Sequence, residues 1–81
     1  MDIEITYCMA WNYQADADRV SAEIKQATGI ESTLVPGSGG IFDIKVDGSL
    51  IFSKHETARF PNQGEVAQLL SWRFSSLLNG A

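Results

Sequence analysis

The stretch Ile3-Glu4-Ile5-Thr6-Tyr7-Cys8 decides the fold of this chain. Apolar and polar residues alternate along it, which predicts a β-strand with one buried face and one wetter face. A strand buried on both faces would be apolar throughout, so we expect helices on one face of the sheet.

A helix is predicted over residues 13–28, soon after this strand. Asn12 is the predicted N-cap, and Gly29 is the predicted residue just beyond the C-terminus. The apolar positions recur at helical spacing and form one stripe, which consists of Tyr13, Ala17, Val20, Ile24 and Ala27.

Three further strands are predicted. Residues 31–35 form a short strand that ends at the loop Pro36-Gly37-Ser38-Gly39-Gly40. Residues 41–46 alternate again, and Asp47-Gly48 is a strong hairpin signal. Residues 49–54 are the returning strand, on which we expect Leu50 and Phe52 to share a face.

The last part of the chain is predicted to be a polar loop followed by a helix. The loop covers residues 54–60, and Pro61-Asn62 leads into a helix that ends near residue 78. Trp72 lies off the apolar stripe, so it is either exposed or in contact with another group, and the sequence does not indicate the role of Trp72 or of residues 71–81. The stripe consists of Val66, Leu69, Leu70, Phe74, Leu77 and Leu78.

The predicted element order is β-α-β-β-β-α, in a single domain over residues 1–81. A right-handed crossover makes the first two strands parallel, and the hairpin makes the last two antiparallel. The result is an α/β two-layer sandwich, a four-stranded mixed sheet with two helices on one face. Three loops are then expected to meet at one end of the sheet, at residues 8–12, 36–40 and 54–60.

Composition and charge exclude several classes of function. The net charge is −4 and the six Lys and Arg residues are scattered, which argues against nucleic acid and anionic membranes as partners. No apolar run approaches the roughly 20 residues that span a bilayer. The first residues do not combine a basic region with a long apolar stretch, so we expect no secretory signal. One cysteine allows no internal disulfide, which suits a cytoplasmic location.

Four blocks of the sequence form a distinctive series. They are Ile5-Thr6-Tyr7-Cys8-Met9-Ala10-Trp11-Asn12-Tyr13, Leu34-Val35-Pro36-Gly37-Ser38-Gly39-Gly40-Ile41-Phe42-Asp43-Ile44, Val46-Asp47-Gly48 and Phe60-Pro61. Together they resemble the selenoprotein W-like Rdx family, whose members carry Tyr-Cys-x-x-Cys or Tyr-Cys-x-x-Sec, then Val-Pro-Gly-x-Gly-Gly-x-Phe, then Asp-Gly and Phe-Pro.

The resemblance implies a thioredoxin-like fold and thiol redox chemistry with glutathione or a thioredoxin-type protein partner. Cys8 matches the first cysteine of the family motif, and Trp11 stands where members have the second cysteine or selenocysteine. Arg59 stands where many members have glycine before Phe-Pro. The departure at Trp11 removes the residue that would resolve a disulfide within the chain.

Two interpretations of Cys8 follow. It is a buried small hydrophobe, or it is a reactive thiol favoured by the start of the following helix. A dithiol mechanism is excluded, so a reactive Cys8 forms mixed disulfides with glutathione or a protein thiol. The alternative function is a redox-inactive protein-binding module that uses the same loops.

The candidate site is Cys8 with a rim of loop residues around it. Trp11 either packs partly buried over the helix start, which we favour, or is an exposed anchor for a partner. The glycine loop is a tight turn or a backbone receptor for a peptide or glutathione, and Lys54 and Arg59 are expected to be solvated. His55 is an exposed loop residue or, less often, a partner for a thiolate. We predict no metal and no cofactor, and make no prediction of the oligomeric state. The rim is Trp11, Pro36, Gly37, Ser38, Gly39, Gly40, His55, Arg59 and Phe60.

Overall fold

The computed structural model of this chain describes residues 1–78, with side chains described for residues 1–72. The predicted order of strands and helices is confirmed, with one short helix added. No helix in this part of the chain is both long and apolar enough to cross a membrane. The elements are β1 (Ile3–Cys8), α1 (Gln14–Thr28), β2 (Thr33–Gly37), β3 (Phe42–Val46), β4 (Ser49–Ser53), α2 (Lys54–Thr57) and α3 (Glu65–Leu78).

The four strands form one mixed sheet in the order β2-β1-β3-β4. β1 is parallel to β2 and antiparallel to β3, and β3 is antiparallel to β4. Ile5 in the middle of β1 is opposite Leu34 on one side and Ile44 on the other. This confirms the predicted strand directions and makes β1 an interior strand.

The hydrophobic core lies between one face of the sheet and the helices α1 and α3. Alternate residues of β1 and β3 point into it, as their sequence pattern predicts. Ala27 is exposed, so its predicted place in the α1 stripe is wrong. The core consists of Ile3, Ile5, Tyr7, Ala17, Val20, Ile24, Phe42, Ile44, Val46, Phe52, Val66 and Leu70.

A β-bulge changes the side-chain pattern of β4. Phe52 is opposite Ile44, whereas Leu50 is opposite Lys45, with a register shift between these two pairs. The extra residue reverses the alternation, so Phe52 is buried and Leu50 is 44% exposed. The prediction that Leu50 and Phe52 share a face is therefore wrong.

The ends of α1 differ in how well the sequence predicts them. Gly29 adopts the left-handed conformation with φ of 76° and donates its N–H to the Lys25 carbonyl, as predicted. Asn12 is not the N-cap, because its own φ is 58° and it lies in the turn before Tyr13. Asn is a residue that tolerates this region of backbone conformation.

The segment before α3 is more ordered than the predicted polar loop. Residues Lys54–Thr57 form the one-turn helix α2, which ends at Ala58. α3 begins at Glu65, three residues after Asn62, and the Glu65 carboxylate accepts the Asn62 N–H at 2.9 Å. In the predicted stripe Val66 and Leu70 are buried and Leu69 is half-buried. The side chains of Phe74, Leu77 and Leu78 lie outside the described residues.

Candidate functional site

The glycine-rich loop crosses the end of β1. Because β1 lies between β2 and β3, the connection over residues 38–41 has to pass the carboxyl end of β1. Two hydrogen bonds fasten it there. The Cys8 N–H donates to the Ile41 carbonyl at 2.8 Å, and the Met9 N–H donates to the Gly37 carbonyl at 3.2 Å. The predicted meeting of the first two loops is therefore confirmed.

Two glycines of this loop leave no room for a side chain. A Cβ on Gly37 would lie 2.7 Å from the Ile41 Cγ2 atom and 3.0 Å from the Thr6 Cγ2 atom. A Cβ on Gly40 would overlap the Trp11 ring, with Cε3 at 2.9 Å, and Gly40 also has φ of 75°. The loop therefore approaches its neighbours as closely as backbone allows.

Cys8, the last residue of β1, is fully buried, with 0% of its surface exposed. It is opposite Gly37 in the sheet, and its carbonyl accepts the Tyr13 N–H at 3.1 Å. Of the two interpretations of Cys8, the structure shows the buried thiol. Reaction with an external molecule needs a movement that uncovers it.

Trp11 is exposed, contrary to the favoured prediction that it is partly buried. It is 62% exposed, and Met9 two residues earlier is 57% exposed. The ring lies against Gly40, which supplies a flat backbone surface in place of a side chain. Trp11 is therefore fixed on one side and open to solvent on the other.

Aromatic rings connect Trp11 to the core. The Trp11 and Tyr13 ring centroids are 6.1 Å apart, those of Tyr13 and Phe60 are 4.7 Å apart, and those of Phe60 and Phe42 are 5.3 Å apart. All three pairs meet edge to face, an arrangement that aromatic pairs favour. Phe60, a predicted rim residue, thus joins the exposed loop to the buried sheet.

The third loop reaches the site through Lys54. Its ammonium lies 5.6 Å from the Tyr13 ring centroid and 5.4 Å from that of Phe60, within the range of cation–π attraction. Lys54 is half-buried, so its prediction as a solvated charge is wrong. His55, the next residue, is exposed on α2. The described hydrogen bonds include none between His55 and Cys8.

Arg59 is exposed, as predicted, and it also forms an ion pair with Glu65. The two terminal nitrogens of its guanidinium group donate to the two Glu65 carboxylate oxygens at 2.7 and 2.8 Å. These bonds, together with the Asn62 N–H, lower the pKa of Glu65 to about 2. The pair fixes the segment that carries Phe60 to the start of α3.

The remaining rim residues vary in exposure. Pro36, Ser38 and Gly39 are exposed and Gly37 is half-buried, whereas Gly40 is buried under Trp11. Within the described residues, no group of three His, Cys, Asp or Glu side chains is arranged to hold a metal ion. Met9, Tyr13 and Lys54 belong to the site but are absent from the predicted rim. Met9 and Lys54 lie within two of the converging loops, and Tyr13 directly follows the first of them; these positions are the signal that would have indicated all three.

Comparison with known proteins places these features in a family. The model of the Rdx family matches residues 2–71. Migration and invasion enhancer 1 from Bos taurus is 30% identical over 69 residues, and the protein of that name from Mus musculus is 29% identical. Each alignment covers 84% of this chain and 60% of the relative. The chain thus spans about 60% of the length of these curated relatives.

Solved structures confirm the predicted fold. A crystal structure of a Bordetella parapertussis protein has a TM-score of 0.83 and 27% identity, and covers 89% of this chain and 95% of that one. A selenoprotein W-related protein from Vibrio cholerae has a TM-score of 0.75 and 29% identity, and covers 94% of each chain. The fold is the α/β fold of selenoprotein W-related, thioredoxin-like structures, and the family suggests a thioredoxin-like redox-type role. With 70 consecutive residues matched from Asp2 onward, the chain belongs to the Rdx family.

Proposed function

We propose that Cys8 is a single-thiol redox group that forms reversible mixed disulfides with glutathione or a protein thiol. The observation that carries the proposal is the position of Cys8 at the carboxyl end of β1, ahead of α1, in an Rdx fold. No other cysteine exists in the sequence, so both steps of the exchange use external sulfur.

The exchange is balanced with glutathione disulfide as the oxidant. The Cys8 thiol loses its proton, and its sulfur attacks one sulfur of glutathione disulfide. A Cys8–glutathione disulfide forms as one glutathione thiolate leaves. A second glutathione or a protein thiol then attacks the glutathione sulfur of the mixed disulfide, forming glutathione disulfide or a glutathionylated protein, and Cys8 leaves as a thiolate that takes up a proton. We place this cycle in the cytoplasm, where the glutathione pool supplies the reducing thiol.

Burial makes access the controlling step of this chemistry. Cys8 has no exposed surface, and the loop over residues 38–41 passes the strand end on which it lies. The exchange therefore proceeds from an opened state in which this loop has moved away. Local opening of this kind has a free energy below that of global unfolding, so it sets the rate without unfolding the domain.

A second candidate function is a protein-binding module that carries out no redox chemistry. Its support is the contrast between a buried Cys8 and the exposed side chains of Met9 and Trp11. Exposed tryptophan is enriched in the residues that dominate protein interfaces. In this case Cys8 serves only as a small core residue.

One experiment separates the two functions. The native protein is incubated with glutathione disulfide and the intact mass is followed over time, alongside Cys8→Ala and the urea-unfolded protein. The redox proposal expects a glutathione adduct on the native wild-type protein, reversed by added glutathione and absent from Cys8→Ala. An adduct that forms only in urea would overturn the redox proposal in favour of the binding module.

A further inference from the structure

Two large apolar side chains are presented together by the loop after β1. Met9 is 57% exposed and Trp11 is 62% exposed, and only one residue separates them in the chain. The Tyr13 ring meets the Trp11 ring edge to face, and the Lys54 ammonium lies over the Tyr13 ring, 5.6 Å from its centroid. We call Met9, Trp11, Tyr13 and Lys54 the Trp11 surface. A cluster of this kind, with aromatic residues next to a cation, has the composition of an interface centre.

The Trp11 surface is held in place before any partner arrives. One side of the Trp11 ring lies on the Gly40 backbone and its edge meets Tyr13, which is itself packed on Phe60. Binding to a side chain already fixed in this way loses less conformational entropy than binding to a mobile one. This fixed arrangement is what we expect of a surface that recognises a partner, and not of an apolar side chain that is exposed by chance.

The charge at this surface selects an acidic group. Arg19, Lys25 and Arg59 each pair with a carboxylate. The Lys54 ammonium instead lies over two aromatic rings, and the described salt bridges include none for it. Asp16 and Glu56 lie in the elements that flank the surface, in α1 and α2. Their negative charge disfavours a long acidic tract, so the surface suits one carboxylate placed at Lys54.

The small area of the Trp11 surface indicates that its partner is a short peptide segment and not a second copy of the chain. Two exposed side chains offer an area on the order of 200 to 300 Å². A stable dimer needs about 800 Å² from each partner. The area therefore fits the transient contact of a few residues.

We infer that the Trp11 surface binds a short segment of a partner protein in which a large apolar side chain adjoins one carboxylate. The apolar side chain covers Met9 and Trp11, and the carboxylate pairs with Lys54. The inference rests on the proposed function in that this contact brings the partner's sulfur to the rim above Cys8.

The test uses Cys8→Ala, so that docking is measured without any thiol. The probes are two capped peptides, Gly-Gly-Phe-Asp-Gly and its matched control Gly-Gly-Phe-Asn-Gly. Each is titrated into labelled protein while the Met9, Trp11 and Lys54 signals are followed by NMR. The Asp peptide is expected to shift these signals and to bind about two- to fivefold more tightly than the Asn peptide, the effect of one exposed ion pair.

Variants of the Trp11 surface test the role of each side chain in peptide binding. Trp11→Ala is expected to weaken binding by about tenfold or more, as loss of an interface anchor does. Lys54→Gln is expected to remove the preference for Asp over Asn. The controls are Trp72→Ala, which removes a tryptophan of the same 62% exposure, and Lys45→Gln, which removes an exposed lysine of β3. Both are expected to bind as the parent does.

Three results would overturn the inference. The first is that the Met9 and Trp11 signals do not change at millimolar peptide. The second is that Trp11→Ala and Trp72→Ala lose the same amount of peptide affinity. The third is that the same signals shift with protein concentration in the absence of peptide, which indicates that a second copy of the chain binds there. Failure of the redox proposal is recognised separately, because it consists of a missing glutathione adduct on the wild-type protein. Docking by Cys8→Ala is unaffected by that result.

Discussion

The turns that precede and follow β3 both contain glycine, but for different physical reasons. At the Asp47-Gly48 hairpin both residues have positive φ, of 51° and 82°, and a Cβ on Gly48 would meet nothing within 4 Å. At the loop before β3, a Cβ on Gly37 or Gly40 would collide with neighbouring side chains. The hairpin glycine thus serves local backbone geometry, whereas Gly37 and Gly40 make room for neighbouring side chains, and two of these, Thr6 and Trp11, are distant in sequence. The exposed tryptophan depends on the second kind.

The largest expected effect is that of Gly40→Ala. It combines a strained positive φ with overlap of the Trp11 ring, so we expect a loss of about 2 to 4 kcal/mol in the free energy of unfolding. Urea denaturation measures it. Gly39→Ala is the matched control, because Gly39 has φ of 71° but open space around it. Equal losses for the two variants would show that Trp11 does not occupy this space, as would an unaltered loss in a Trp11→Ala background.

Gly37→Ala isolates the steric effect, because Gly37 is not among the glycines with positive φ. The added methyl group meets Ile41 and Thr6, and overpacking of this kind destabilises by about 1 to 3 kcal/mol. We also expect faster alkylation of Cys8 as the loop is displaced. Adding Ile41→Ala should recover part of the stability in a double-mutant cycle. A purely additive cycle would contradict the contact.

Gly48→Ala should affect the backbone alone. A left-handed conformation costs an alanine about 1 to 2 kcal/mol, with no steric addition at this open position. The alkylation rate of Cys8 should stay at the wild-type value, since the hairpin lies at the other end of β3. Thermal unfolding and alkylation, measured on the same variant, test both statements. Faster alkylation here would remove the distinction between the two turns.

The smallest expected effect is a pH dependence of folding stability that arises from the Arg59–Glu65 ion pair. The pKa of Glu65 is lower in the folded chain, at about 2, than its ordinary value of 4.5. The contribution of ionised Glu65 to the free energy of unfolding is therefore complete above about pH 4.5 and is lost as the pH falls towards 2. Because the pair with Arg59 is partly solvated, we expect only about 0.5 to 1 kcal/mol.

Glu65→Gln is the variant for this measurement, with unfolding followed from pH 5 to pH 2.5. We expect the stability of Glu65→Gln to fall less between pH 5 and pH 2.5 than that of the wild-type protein. Glu31→Gln is the control, because the Glu31 side chain pairs with Lys25 but is 75% exposed. A larger change in the control than in Glu65→Gln would mean that the ion pair does not hold the Phe60 segment.

The sequence predicts those parts of the fold that depend on local pattern. Alternation predicts β1 and β3, and Gly29 predicts the end of α1 because only local backbone geometry is needed there. Leu50 is misplaced because a single extra residue in β4 reverses the alternation, and no residue type marks that bulge. α2 is missed because one polar turn is too short to show helical periodicity.

The candidate site is less predictable than the fold. Strand order and direction predict that the loops meet, and this follows from topology alone. The position of Trp11 depends instead on its contact with Gly40, and the setting of Cys8 depends on its pairing with Gly37 and Ile41. These partners are about 30 positions apart in the sequence. Lys54 is a further case, since its position over Tyr13 and Phe60 depends on α2, which the sequence does not reveal.

The bulge in β4 has a consequence for how the sheet ends. β4 and β2 are its two edge strands, where free N–H and C=O groups invite pairing with another chain. At one edge the bulge interrupts the regular ladder and twists the strand. At the other edge Pro36 supplies no N–H to an incoming strand. Both edges therefore resist the addition of a further strand. This protects the domain from edge-to-edge aggregation, while the loop that carries Met9 and Trp11 remains open to solvent.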